Sequence, residues 1–296
     1  MAEKDSIRTN SFRAWVLASR PKTLAGAMVP VAIGIALAVK DSGFRIDCVP
    51  ALLCLLFALL MQVDANFVND YFDWRHGNDD EASRLGPLRA CSMGWITPRA
   101  MLIALFVTTG VACAVGLPLI FYGGLKMIII GVLCIVFCVL YTTVFSYIGL
   151  GDLLVLLFFG VVPVCITYYI QIGCVPLVVL NVSLACGLAV DNLLILNNYR
   201  DIDNDRRSGK RTLIVVIGRK WGLRLYLLLG IMAALMMSFY RGFNVKAVLM
   251  LVCLVFHLQA YSQMRLLTGR DLNRVLGMTS RNILVFGVVS TLVILL

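Results

Sequence analysis

Charge is scarce in this chain. Of 296 residues, only 14% are Asp, Glu, Lys or Arg, 16 are acidic and two are histidine. Soluble domains carry about 25% charged residues, so a water-soluble globular enzyme is excluded. A disordered chain is excluded too, because it pairs low hydrophobicity with high net charge. What fills the space is apolar: 60% of residues, counting Tyr and Cys, with mean hydropathy +0.91. A spanning helix takes roughly 20 residues, so the composition describes a polytopic helical membrane protein with room for about nine or ten spans. The ten cysteines fall mostly inside apolar runs (Cys54, Cys113, Cys134, Cys138, Cys165, Cys186, Cys253). They read as small buried hydrophobes, since no histidine lies near Cys134 and Cys138 to complete a metal site. The first 23 residues are polar and basic without a small-residue cleavage motif, so no cleavable signal peptide is expected.

Nine apolar spans are predicted at about 24–39, 50–68, 99–119, 126–145, 150–171, 176–198, 223–240, 245–266 and 282–296, all in a single domain covering 1–296. An eight-span variant is conceivable, because some runs are short. The net charge of +10 would point to nucleic acid in a soluble protein. Here the Lys and Arg residues sit between the runs, so no nucleic-acid partner is expected and the lipid bilayer is the medium. Over nine spans they divide 21 to 5 between the two sides. The positive-inside rule then places the N-terminus in the cytoplasm and the C-terminus on the opposite side of the cell membrane.

Ten of the acids fall in two windows closing the second and sixth spans: Asp64, Asp70, Asp73, Asp79, Asp80 and Glu81, then Asp191, Asp201, Asp203 and Asp205. An acid at membrane depth costs about 2.5–3.5 kcal/mol on insertion scales and marks a functional site by default. At helical pitch Asn66, Asp70 and Asp73 lie at roughly 0°, 40° and −20°, one stripe, with Asp64 on the far side. Asn198, Asp201, Asp205 and Asp191 share another face if the sixth helix persists, while Asp203 points away. Such paired hard-oxygen stripes suit magnesium. Isolated, either stripe would read as a solvated helix end; two of them, four helices apart, suggest an internal repeat and a site. Cations flank both in Arg20-Pro21-Lys22-Thr23, in Arg84 through Arg89, and in Arg206 through Thr212. Carboxylates, cations and divalent metal together describe a diphosphate site. Gly209-Lys210-Arg211-Thr212 is not a P-loop, because the upstream glycine and the preceding strand are missing.

At these residues the sequence resembles the intramembrane UbiA-type aromatic prenyltransferases, and within them the branch acting on 1,4-dihydroxy-2-naphthoate in menaquinone synthesis. The resemblance rests on Asn66-Phe67-Val68-Asn69-Asp70-Tyr71-Phe72-Asp73 and on His76-Gly77-Asn78-Asp79 through Arg84-Leu85-Gly86-Pro87-Leu88-Arg89. It rests also on Asn197-Asn198-Tyr199-Arg200-Asp201-Ile202-Asp203-Asn204-Asp205, Gly209-Lys210-Arg211-Thr212-Leu213, Arg20-Pro21-Lys22-Thr23-Leu24 and Tyr147-Ile148-Gly149-Leu150-Gly151-Asp152. It implies a nine-helix bundle around a lipid-accessible cavity. Mg2+ would be held by Asn66, Asp70 and Asp73 and by Asn198, Asp201 and Asp205. Lys22, Arg84, Arg89, Lys210 and Arg211 would grip the diphosphate, and Arg20, Asn69, Tyr71, Tyr141 and Asp191 would line the pocket. The implied substrates are a polyprenyl diphosphate and 1,4-dihydroxy-2-naphthoate. One departure is that only Thr143-Val144-Phe145-Ser146 follow Tyr141-Thr142 before Tyr147, fewer residues than this branch usually carries. Other aromatic acceptors (4-hydroxybenzoate, homogentisate, a porphyrin), a cation-coupled transporter and a catalytically silent scaffold are the competing expectations. His76 reads as solvated or diphosphate-facing, and His257 as a satisfied intramembrane polar group.

Overall fold

A computed structural model describes residues 7–75, 84–242 and 245–296. His76, Asp79, Asp80 and Glu81 lie outside the described residues. Among the described residues there is no strand, and nine helices are long and apolar enough to cross a membrane. They are α1 (Phe12–Asp41), α2 (Cys48–Arg75), α3 (Pro98–Gly123), α4 (Lys126–Thr143), α5 (Gly151–Ile172), α6 (Leu177–Arg207), α7 (Leu213–Ser238), α8 (Val245–Leu266) and α9 (Gly269–Leu295). Their outward faces are apolar, with Phe106, Phe121 and Val245 more than 70% exposed. A water-soluble monomer does not carry so broad an apolar surface; a bilayer accepts it.

The helix starts follow local chemistry. Ser11, Thr97 and Thr212 each accept a hydrogen bond from the backbone N–H three residues on, at 3.3 Å, and Pro98 follows Thr97 at the first helical position. Three helix starts differ from the hydropathy reading. α1 begins twelve residues earlier, as a short amphipathic helix (Phe12–Ser19) joined through Arg20 to the apolar run. α7 begins at Leu213 and is broken at Gly218, whose φ of +79° suits glycine. α9 begins at Gly269, because its first turns are polar and escape a hydropathy window. α6 does persist through the second acidic window, to Arg207.

α1 and α6 are the most buried helices and form the centre. α1 packs on α2, α5, α6 and α9, and α6 packs on α5, α7 and α9. Gly160 and Gly187 let α5 and α6 approach closely, as small residues do between membrane helices. A Cβ on Gly160 would stand 2.6 Å from the Ser183 carbonyl oxygen, and one on Gly187 3.0 Å from that of Leu156. Gly160 lies in a π-type turn, Leu157–Val161, that widens α5 at this contact.

Candidate diphosphate site at the mouth of an apolar cavity

A cavity of about 270 Å³ runs between α1, α2, α4, α5 and α6. Its walls are apolar (Phe137, Phe158, Phe159 and Leu194 among them), with Cys134 and Cys138 on α4. Its polar end carries Arg20, Thr23, Gln62, Asn66, Asn69, Tyr141 and Asn197. The ends of α2 and α6 meet at that mouth. Asp73 of α2 accepts from Arg89 Nη2 at 2.5 Å and lies 3.8 Å from Lys210 Nζ, which follows α6. Arg84 interacts electrostatically with both Asp73 and Asp201, and Asp205 with Asp201 and Asp73. The two acidic stripes therefore face one another.

Each expected residue has a definite place. Asn66 donates to the Ser19 carbonyl at 2.9 Å and to Thr23 Oγ1 at 3.0 Å, tying α2 to the bend in α1. Asn69 accepts from Thr142 of α4 at 2.9 Å. Arg20 occupies the left-handed region (φ +50°), a strained setting for a residue with a Cβ. The residue lines the cavity, and one nitrogen of its guanidinium is buried without a hydrogen-bond partner among the described residues. Burial, with Arg20 and Arg200 nearby, pushes the Arg84 guanidinium down to about 10 against the opposing pull of Asp73 and Asp201. Lys22 and Arg211 are exposed. The Lys22 carbonyl accepts from Ser280 at 2.5 Å, and the Arg211 N–H donates to the Tyr147 carbonyl at 3.0 Å. That last bond, and Lys210 Nζ 5.3 Å from the Tyr147 ring centroid, show the shortened loop after Tyr141 still reaching the mouth. Asn198 is half-buried, while its neighbour Asn197 is the one that lines the cavity.

Three expected residues are held away from the cavity in this structure. Asp70 does not present a free carboxylate to the mouth: Ala90 N–H donates to Oδ2 and Cys91 N–H to Oδ1, both at 2.8 Å, and the residue is 1% exposed. The segment after α2 folds back over the helix end and takes up this acid as a fastener. Tyr71 is not a cavity residue; it packs on Phe72 and Trp74, with centroids 5.4 and 6.2 Å away. Asp191 lies behind the wall formed by Val190, Leu193 and Leu194, in electrostatic contact with Asp152. Asp64 and Asp203 sit outside the site, as their helical angles require. Asp64 accepts from Thr109 at 2.5 Å, and Asp203 from the exposed Arg219 at 2.8 Å. His257 is satisfied as expected, 3.2 Å from the Leu227 carbonyl and stacked on Tyr226.

Arg200 is the site residue that sequence reasoning passed over. Only 4% exposed, it forms a bidentate pair with Asp201 (2.9 and 2.7 Å) and donates to Asn273 of α9 at 2.8 Å. Asn273 donates onward to the Leu85 carbonyl at 2.8 Å. Gly86 is needed beside it, since a Cβ there would lie 2.6 Å from Arg200 Nη2. The available signal was a single arginine wedged between the Asn-Asn-Tyr run and Asp201.

Nine apolar helices among the described residues, around a cavity whose mouth mixes acids and cations, define a multi-pass integral membrane protein. The chain belongs to the UbiA prenyltransferase family, whose profile matches residues 27–294. It is 39% identical over 231 residues to the 1,4-dihydroxy-2-naphthoate octaprenyltransferase of Escherichia coli K12, covering 74% of this chain and 72% of that one. A UbiA homolog from Aeropyrum pernix K1 shares the fold at TM-score 0.67 and 15% identity, over 90% of this chain and 96% of that one. A UbiA homolog from Archaeoglobus fulgidus, solved bound to DMAPP and Mg2+, matches at TM-score 0.61 and 14% identity, over 94% and 98%.

Proposed function

We propose that the protein transfers a polyprenyl group from polyprenyl diphosphate to 1,4-dihydroxy-2-naphthoate, releasing diphosphate and carbon dioxide and giving demethylmenaquinol for menaquinone synthesis. The observation that carries this reading is the meeting of Asp73 with Arg89 and Lys210, and of both stripes with Arg84, over an apolar cavity. A transporter would place its acids near mid-membrane on broken helices. Here they lie at the ends of two long helices, beside cations that suit phosphate oxygens.

The donor set fits magnesium. Among the described residues no three Asp, Glu, His or Cys side chains form a cage of their own. Magnesium does not need one, because it keeps several waters and uses one or two carboxylates together with substrate phosphate oxygens. Asn66 with Asp73, and Asn198 with Asp201 and Asp205, would hold it. Bound there, it supplies neutralisation of charge on the leaving diphosphate. Arg84, Arg89 and Lys210, with the exposed Lys22 and Arg211, bind the remaining oxygens and stabilise the charge that develops as the allylic C–O bond breaks. Arg20, which lines the cavity and has one buried guanidinium nitrogen without a hydrogen-bond partner among the described residues, is placed for the acceptor carboxylate or an inner diphosphate oxygen. The apolar walls keep water from the cation-like allylic carbon. The electron-rich ring attacks through the carbon bearing its carboxylate, and loss of carbon dioxide restores aromaticity. The cavity is small for a long tail, so the tail extends past it between helices. The Lys and Arg distribution supports a cytoplasm-facing mouth in the inner membrane, with the N-terminus inside and the C-terminus outside.

The test is reconstitution. Purified protein with Mg2+, a polyprenyl diphosphate and dihydroxynaphthoate yields prenylated quinol, pyrophosphate and carbon dioxide. EDTA, Asp73→Ala or Asp201→Ala each abolish turnover. Full activity surviving either substitution removes the metal and diphosphate assignment. Preference for 4-hydroxybenzoate or homogentisate in a competition assay removes the naphthoate assignment alone.

A further inference from the structure

Two acids buried in the bundle are not used by the diphosphate chemistry. Asp152, 8% exposed at the start of α5, and Asp191, 3% exposed on α6, each have one carboxyl oxygen buried without a hydrogen-bond partner among the described residues. Their closeness is built into the helix packing. α5 and α6 run antiparallel, with Gly160 against Ser183 and Leu156 against Gly187. The same register, one turn further toward the mouth, sets Asp152 against Asp191, and the two interact electrostatically. Glycine at 160 and 187 is what permits so close an approach. Mere support of the fold does not explain the pair, because a structural polar group inside a membrane ordinarily has its hydrogen bonds made.

Tyr141 connects this pair to the cavity. Its ring lines the cavity wall, and its hydroxyl lies 3.8 Å from where a Cβ on Gly151 would sit, next to Asp152. It interacts electrostatically with Asp152 and Asp191 on one side and with Asp205 and Asp73 on the mouth side. Two carboxyls that face each other can share one proton and accept a second.

We propose that Asp152 and Asp191, acting through the Tyr141 hydroxyl, hold the ring-hydroxyl proton of the aromatic acceptor while the carbon–carbon bond forms, and return it when the carboxyl group leaves. The inference rests on the transfer reaction proposed above. As the ring carbon bonds to the allylic carbon, the allylic C–O electron pair departs on the diphosphate. The neighbouring ring hydroxyl becomes a carbonyl and its proton moves to the Tyr141 oxygen, while the Tyr141 proton moves to the carboxyl pair. The product of that step is a β-keto acid. Its C–C bond to the carboxyl group breaks, carbon dioxide leaves, the electron pair restores the ring, and the proton returns to the ring oxygen by the same route. No proton is consumed or released overall, so the pair needs no exchange with water. Asp152 and Asp191 are thus positioning residues for a proton carried by Tyr141.

The test compares Asp152→Asn, Asp191→Asn, Asp191→Glu and Tyr141→Phe with wild type in the purified transferase. General acid–base assistance is worth about 10²–10⁴-fold, so kcat falls by that order in the two Asn variants and in Tyr141→Phe. The KM for prenyl diphosphate and the melting temperature with Mg2+ and pyrophosphate stay at wild-type values, and Asp191→Glu recovers part of the rate. Undiminished kcat in the Asn variants overturns the inference. So does a fall in kcat matched by lost diphosphate affinity and stability, which marks a structural pair. Wild-type protein inactive toward every hydroxylated aromatic acceptor overturns the proposed transfer and this inference together. Active wild type with undiminished variants overturns only the inference.

Discussion

Replacing Asp70 separates two jobs that one aspartate could do at this mouth. In the structure its carboxylate is a clamp: two backbone N–H groups, from Ala90 and Cys91, point at its two oxygens at 2.8 Å. Ala90 and Cys91 are 2% and 5% exposed, so water does not replace the lost acceptor in Asp70→Ala. Each buried donor left unmade costs about 1–3 kcal/mol, which puts the substitution at about 2–6 kcal/mol. A domain's whole margin is about 5–15 kcal/mol. Asp70→Asn keeps one acceptor oxygen and turns an amide N–H₂ toward the second donor, for a loss of about 1–3 kcal/mol. The turn held this way carries Arg89 to Asp73, so diphosphate affinity falls along with stability. Asp73→Asn, by contrast, removes a mouth carboxylate's charge, leaves the clamp intact and an oxygen acceptor for the buried Arg89 in place, and abolishes turnover in a protein that melts closer to wild type than Asp70→Ala does. The assay is a thermal melt in detergent paired with pyrophosphate release, across all three variants. An Asp70→Ala protein that is inactive yet melts at the wild-type temperature would refute the clamp and restore Asp70 as a metal ligand.

Gly86→Ala sets a methyl group 2.6 Å from an Arg200 guanidinium that Asp201 and Asn273 hold from other sides. The expected result is at least a ten-fold rise in the KM for prenyl diphosphate with the fold retained, and an unchanged KM would mean the guanidinium is free to move. Asp64→Asn, an acid of the same window turned toward Thr109, keeps an oxygen acceptor for that hydroxyl. It changes kcat and KM by less than two-fold in the same assay, and a loss comparable to that of Asp73→Ala would place it in the site after all.

Hydropathy alone made the nine spans legible, and helical angles sorted Asp73, Asp201 and Asp205 from Asp64 and Asp203, because those features depend only on periodicity within one helix. What stayed hidden depends on a second element. The Asp70 angle was correct, yet its oxygens belong to Ala90 and Cys91, and nothing local says that the chain folds back there. Arg200 sits one residue from Asp201, at an angle that no stripe argument selects, and its role comes from Asn273 on α9. Asp152 and Asp191 are 39 positions apart and meet only through the glycine-set register of α5 and α6. The amphipathic first turns of α1 and the polar ones of α9 were invisible for a simpler reason: a window tuned to lipid does not see a helix before it enters lipid.

The balance of charge at the mouth explains why these residues tolerate one another. Asp73, Asp201 and Asp205 face Arg20, Arg84, Arg89, Arg200 and Lys210, so among the described residues fixed positive charge exceeds negative. Arg84 feels the surplus directly, held down by burial and by Arg20 and Arg200. Each acid is nonetheless engaged or surrounded by a cation, and Asp201 spends both oxygens on Arg200. A site for metal alone would have free carboxylates and few cations near them, and a site for a neutral ligand would have neither. On the proposed function, an excess of arginine and lysine over carboxylate would be relieved by an anion of several charges, and divalent metal held by the same carboxylates would supply them a partner stronger than the guanidinium groups they hold. Arg20 and Arg84 repel each other, and the diphosphate of the proposed reaction would offset that repulsion.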